Sequence, residues 1–290
     1  VYHNAVDGTN YAYRNVVYND TVNKNMMTGD YCEYNDSTGY AMATKRAVVI
    51  DYSQQDSLFM HADTFKIYTF NIRTDSVYRK IHAYNRVRAY RTDVQAVCDS
   101  LVYNTQDSCM TMYKDPILWN DRQQLFGEVV KAYMRDSTID RIHIVGQAFS
   151  AEQLHDSIHY NQISSKEMKA FFEKGEVSEV QAIDNVVLNY FYVDEEDSVV
   201  TMMNNLETSL LRMFLKNRKL QKIWTSKANA VLYPTNQVPP DKNPLAGFAW
   251  FDYVRPVSKE DIFNWRPKKE GSELKRVQRR EPPKRTVRHE

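Results

Sequence analysis

His155 and His159 stand four residues apart in "HDSIH", a spacing that on a helix would turn two imidazoles toward one metal ion. The surrounding pattern predicts extended chain instead, where that spacing holds the side chains ~13 Å apart along one face. His82 and His143 follow Ile81 and Ile142 at matching places and are expected to be solvated surface groups. Carboxylates offer a second chemistry. Asp30, Asp63, Asp99 and Glu128 recur at one step of a repeated pattern. Such a row on an outer face would suit cleavage of a polysaccharide, which needs an acid and a base side by side. Its regularity points to architecture, because an active site breaks a repeat. Cys32, Cys98 and Cys109 supply neither an even disulfide framework nor metal-ligand spacing, and are expected to be small buried apolar groups. Eight scattered glycines form no phosphate-binding loop, and nothing marks a nucleophile. The residues therefore predict a protein that is not an enzyme and has no metal or cofactor.

The acidic row belongs to a step in which the apolar phase of a strand slips. In Val94-Gln-Ala-Val-Cys-Asp-Ser-Leu-Val-Tyr103 the small or apolar side chains occupy even positions as far as Cys98, then odd positions from Leu101. The same form, apolar, small, acidic and then apolar in the other phase, appears around Gly29-Asp30, Ala62-Asp63 and Gly127-Glu128. Degenerate copies surround Ser165 and Thr208. Between these type A strands lie alternating type B strands: Ala12 to Val16, Ala41 to Val49, Ile81 to Ala89, Ile142 to Ala148, Val180 to Val186 and Ile223 to Thr225. Asp-Ser turns at 36–37, 75–76, 107–108 and 136–137 join them, since both side chains bond back to nearby backbone.

A unit of roughly 30–40 residues with two strands predicts an all-β fold. The expected architecture is an elongated stacked antiparallel β-jellyroll of about six to seven two-strand repeats, followed by a mostly irregular C-terminal region. One extra residue in each type A strand is expected to turn a corner, as a bulge does. The small side chain fits the inside of that corner and the acid faces water. Inward positions then include Met27, Cys32, Met60, Phe65, Ile67, Ile81, Val87, Leu101, Leu125, Val130, Ile142, Ile163, Met168, Val180 and Leu211. If the walls close, these residues form a packed core; if the walls splay, they line a trough for acyl chains.

The bulk properties agree with a folded chain. Of 290 residues, 42% are hydrophobic and 26% charged, with a net charge of +1 and 20 tyrosines among abundant β-formers. No apolar run reaches the ~18 residues of a membrane span, and the start at Val1 suggests a processed protein or a fragment. Three segments are expected: repeats over 1–233, a proline- and aromatic-rich segment over 234–265 that caps the last unit or docks a partner, and a basic disordered tail over 266–290. The tail has ten Lys/Arg against four Glu.

Gly29-Asp30-Tyr-Cys-Glu-Tyr34, Ala62-Asp63-Thr-Phe-Lys-Ile67 and Cys98-Asp99-Ser-Leu-Val-Tyr103, with the "HAYNRVRAY" strand at 82–90, resemble the OstA/LptA family of lipopolysaccharide transport. The likeness spans roughly 10–233. It implies a twisted β-jellyroll in the periplasm of the cell envelope, able to associate with the outer membrane, which holds the acyl chains of lipid A inside. It also implies edge-to-edge stacking with like β-jellyroll domains to bridge two membranes, with lipopolysaccharide or lipid A as partner and no nucleic acid. The alternative is a structural or adhesive β-scaffold of the cell envelope without a lipid ligand.

Overall fold

The computed structural model describes residues 1–22, 24–136, 138–194, 196, 198–217, 219–272 and 274. Their β-branched and aromatic stretches form one antiparallel sheet of nineteen strands, and each rung pairs with the next in sequence. Some rungs run unbroken, such as Tyr78–Tyr90, Val94–Asn104 and Glu176–Val193. Others are interrupted at mid-length, as Leu58–His61 and Thr64–Phe70 are. No α-helix occurs among the described residues, and no helix is long and apolar enough to cross a membrane. Six type A and seven type B rungs stack. The extra type B rung, not among the six expected, is Cys109–Tyr113 with Ile117–Asn120.

Every rung bends at mid-length, so the sheet doubles into two walls facing one core. The small residues sit inside the bend: Gly29, Ala62, Cys98, Gly127 and Ser165 are buried. A Cβ on Gly127 would lie 2.4 Å from Ile144 Cγ2 and 2.9 Å from the Gly146 carbonyl oxygen. The extra residue, however, lies in the type B strand. Tyr84 pairs with Ser100 and Val87 with Cys98, so three steps on one rung match two on the other. In six of the seven type B rungs the turn is made by two consecutive residues with positive φ: Arg14-Asn15, Lys45-Arg46, Asn85-Arg86, Lys114-Asp115, Gly146-Gln147 and Asp184-Asn185; the last, Lys219–Thr225 with Ala228–Pro234, has no extra residue.

Left-handed backbone costs roughly 1–2 kcal/mol per non-glycine residue, and the corner supplies compensating contacts. The acidic residue's N–H donates to a carbonyl of the pair on the following rung: Asp30 to Lys45, Asp63 to Asn85, Asp99 to Lys114 and Glu128 to Gly146, at 2.9–3.2 Å. Its carboxylate often meets the same pair. Asp63 binds Arg86 and Asp99 binds Lys114, both at 2.9 Å, while Glu128 accepts from Gln147 Nε2 at 2.8 Å. In the degenerate fifth unit the signs are exchanged: Lys166 stands where the acid was and meets Asp184 at 3.7 Å.

Residues 234–265 do not cap the last unit. They run back across the outside of one wall as a strap, meeting the rungs in reverse order. Asn189 Nδ2 donates to the Lys242 carbonyl at 2.7 Å, and Gln162 Oε1 accepts from Leu245 N at 2.9 Å. Gln124 donates to the Ala249 carbonyl and accepts from Phe251 N and Trp119 Nε1. Gln95 Oε1 accepts from Arg255 Nε at 2.7 Å, and Arg88 Nη1 donates to the Val254 carbonyl at 2.9 Å. The strap has no regular partner strand, so these buried amides satisfy backbone groups that would otherwise be stranded. Around them Trp119, Phe126, Phe149, Phe251 and Val254 form a second apolar cluster. The beginning of the expected disordered tail is also docked. Arg266 binds Asp261, and Lys268 lies 4.5 Å from the centre of the Phe251 ring. Residues 273 and 275–290 of that stretch fall outside the described residues.

Three outcomes follow. Gly127→Ala should lower stability by about 1–3 kcal/mol through overpacking, read as a lower urea midpoint; an unchanged midpoint would contradict the corner geometry. Gln124→Leu should strip the partners from Phe251 N, Ala249 O and Trp119 Nε1, each buried loss costing about 1–3 kcal/mol, and should speed proteolysis within 234–265. Equal cleavage of both proteins would show that the amide does not hold the strap. Asp261 provides the third. Burial alone would raise its pKa, but Arg266, the Val257 N–H and Asn264 hold it below the usual value. A lowered carboxylate stabilises the fold above the unfolded pKa of about 3.9, and that stability is lost as pH falls through the lower folded value. Strap cleavage should therefore rise in acid, and Asp261→Asn should flatten that dependence.

Candidate functional site

The two walls meet along the bend and diverge away from it. Where rungs are short the interior is filled. The type A rung Asn25–Asn35 has 11 residues, and Met27, Cys32, Met60, Phe65, Val87 and Leu101 pack there with buried alanines. Later rungs are longer, 18 residues at Glu176–Val193 and 17 at Val200–Lys216, so their tips reach further from the bend. Between them lies an apolar cavity of about 140 Å³, lined from both walls by Leu125, Ile142, Ile163, Met168, Val180 and Met213 among others. Comparable apolar cavities of about 150 Å³ stay dry and admit a benzene-sized guest.

All fifteen residues expected inside belong to the interior cluster or pack against it. Five of them, Leu125, Ile142, Ile163, Met168 and Val180, line the cavity. The other ten, Met27, Cys32, Met60, Phe65, Ile67, Ile81, Val87, Leu101, Val130 and Leu211, do not, and form or flank the packed core. Sequence reasoning missed the polar rim. Asn120, Gln123, Glu152 and Asn161 also line the space, and Asn161 Nδ2 donates to Glu152 Oε2 at 3.1 Å. Glu152 stands two residues beyond Ser150 on the inward phase of its rung, a signal that alternation alone contained. Tyr190 closes this side, and burial pushes its phenol pKa up, which keeps it neutral.

The other chemistry-bearing residues lie elsewhere. His155 and His159 are in a turn after Gln153, not in the expected strand, because Asp156 accepts both the Ile158 and His159 N–H groups. The His159 ring binds the Asp156 carboxylate at 2.5 Å, and His155 is exposed. Among the described residues no group of three or more His, Cys, Asp or Glu side chains could hold a metal ion. Asp63, Asp99 and Glu128 are engaged in corner contacts, and Asp30 accepts from Asn15 N at 3.3 Å. The three cysteines are free and buried, and burial drives the Cys98 thiol pKa upward, away from reactive thiolate. His82 lies on the outer face against Tyr68 and Tyr84, while His143 meets Glu167 at 3.1 Å.

What the trough can do is exclude water around an apolar guest while its rim offers amides, a carboxylate and a phenol to a polar head. No family model, curated protein or solved structure matches the chain.

Proposed function

We propose that this chain is a lipid carrier whose trough takes acyl chains, with lipopolysaccharide as the lipid and the periplasm as its place of work. The observation that carries the reading is the apolar cavity between the diverging walls, lined from both and rimmed with polar groups on one. Burial of an acyl chain gains about 0.8 kcal/mol per CH₂, so even a short segment would be held measurably. The cavity as it stands accommodates such a segment, and longer chains require the walls to part at their tips. The resemblance of the repeats to the OstA/LptA family supplies the choice of lipid.

Exposed apolar side chains on the outermost described rungs support stacking with like domains. Tyr13, Val17 and Tyr18 are 58–60% exposed on the first long rung, and Trp224 and Leu232 are 45% and 57% exposed on the last. Apolar side chains on an unpaired edge favour pairing with another strand. The second reading, an envelope scaffold without lipid, draws on the filled core of the shorter rungs.

Val180→Trp should test the carrier reading, because it fills the cavity from a half-buried position. Binding of a fluorescent fatty-acid analogue, competed by lipopolysaccharide, should weaken about tenfold or more, equivalent to about 1.4 kcal/mol, with the β-sheet spectrum retained. Equal binding by the variant, or none by the parent protein, would sink the proposal. Lipid-free protein recovered from the native envelope would favour the scaffold.

A further inference from the structure

A second cavity, about 360 Å³, lies on the opposite face of the sheet from the trough, where the strap's end meets the bend. Lys45, Arg46, Arg86 and Arg88 contribute four cationic side chains to it, with Asp63 the one acid lining it. They come together because two successive corners, Lys45-Arg46 and Asn85-Arg86, turn outward at this point. The strap then closes one side with Ile262, Phe263 and Trp265.

The charge here is not balanced by the protein. Arg86 is paired with Asp63 at 2.9 Å. Arg88 is buried, its side chain 1% exposed, and among the described residues its only carboxylate partner is Asp261 at a long 3.3 Å. That same carboxylate already binds Arg266, so one acid serves two guanidinium groups. Arg88 Nε is buried with no hydrogen-bond partner. Burial pulls the Arg88 pKa down to about 10, which still leaves it charged at neutral pH. A buried cation short of acceptors is costly, and a second anion would relieve it. Among the described residues Lys45 and Arg46 make no ion pair, and the Arg46 guanidinium lies 4.4 Å from the centre of the Phe263 ring. That stacking orients its planar fork without using its donors.

The geometry points to a binding site for a phosphate monoester carried on a small, sugar-sized body. Guanidinium forks match the oxygens of a phosphate dianion. Phe263, Trp265 and Ile262 give the carbon skeleton an apolar wall, in a cavity at the lower end of the size range for small-ligand sites. His61 stands at the same wall, its ring 4.8 Å from Phe263 and its Nδ1 donating to the Ala47 carbonyl; burial favours the neutral ring, which leaves Nε2 as an acceptor for a hydroxyl of the ligand's body. The phosphate could belong to a free sugar phosphate or to the head of a lipid in a membrane. Neither source depends on the trough, which lies across the sheet.

Titration of the whole chain with glucose 6-phosphate, followed by tryptophan fluorescence, should give a saturable change that glucose does not give. The change should vanish in Trp265→Phe, which removes the reporter, while calorimetry still detects binding in that variant. Arg46→Gln together with Arg86→Gln should weaken binding by about a hundredfold, two lost charge-assisted contacts of about 1.4 kcal/mol each. Both positions are exposed, so the fold should persist, as circular dichroism can verify. Phosphatidylcholine vesicles with and without phosphatidic acid form the second arm. Capture of the acidic vesicles alone would assign the phosphate to a lipid head, and binding of the sugar phosphate alone to a soluble ligand. Binding of neither, equal binding of glucose, or undiminished binding by the double variant would overturn the site.

Discussion

Every rung of this sheet has to turn the same corner, and the rest of the structure depends on how it does so. A side chain larger than a few atoms cannot sit inside the bend, which is why Gly29, Ala62, Cys98 and Gly127 hold that position. The outer side of the bend uses two left-handed residues, which L-amino acids tolerate poorly. Backbone hydrogen bonds from the neighbouring acidic residue, and in several units its charge, recover part of that cost. The exchange of signs at Lys166 and Asp184 keeps an opposite pair at the corner without an acid in the usual place. With the bend fixed in successive rungs, side chains from both walls share one interior.

Much of this was legible in the chain because the small-acidic step repeats and strand alternation has a period of two. The fifteen inward residues followed directly from that phase. The turning pairs were not legible, since Lys45-Arg46 and Asn85-Arg86 contain no glycine to advertise positive φ. Two left-handed residues also preserve parity, so Ile81 to Ala89 reads as an unbroken strand although its centre is a corner. The site was legible only in part. Inward apolar residues can be counted from sequence, but whether the walls separate depends on rung length and on packing between them.

The strap was hidden for a different reason. Polar residues on an outward phase normally mean solvent, and Gln95, Gln124, Gln162, Asn189 and Arg88 were indistinguishable from such residues. They are buried because a distant segment lies over them, Arg88 and Val254 being 166 positions apart in sequence. One wall is consequently covered on both faces, while the other presents Tyr40, Tyr68, His82 and Tyr84 in mutual contact on its outer side.

Stacked-repeat proteins ordinarily tolerate gain or loss of a unit, since each repeat contacts only its neighbours. Here the returning segment works as a ruler. It grips Asn189 at residue 242, Gln162 at 245, Gln124 at 249, and Gln95 and Arg88 at 254–255. Duplication or deletion of a single unit between residues 88 and 189 would throw later grips out of step and strand their buried amides. Evolution by repeat expansion is thereby closed to the middle of this molecule and left open at its first two long rungs, Thr9–Asp20 and Asn25–Asn35, which precede the Arg46 and His61 contacts of the strap's Phe263.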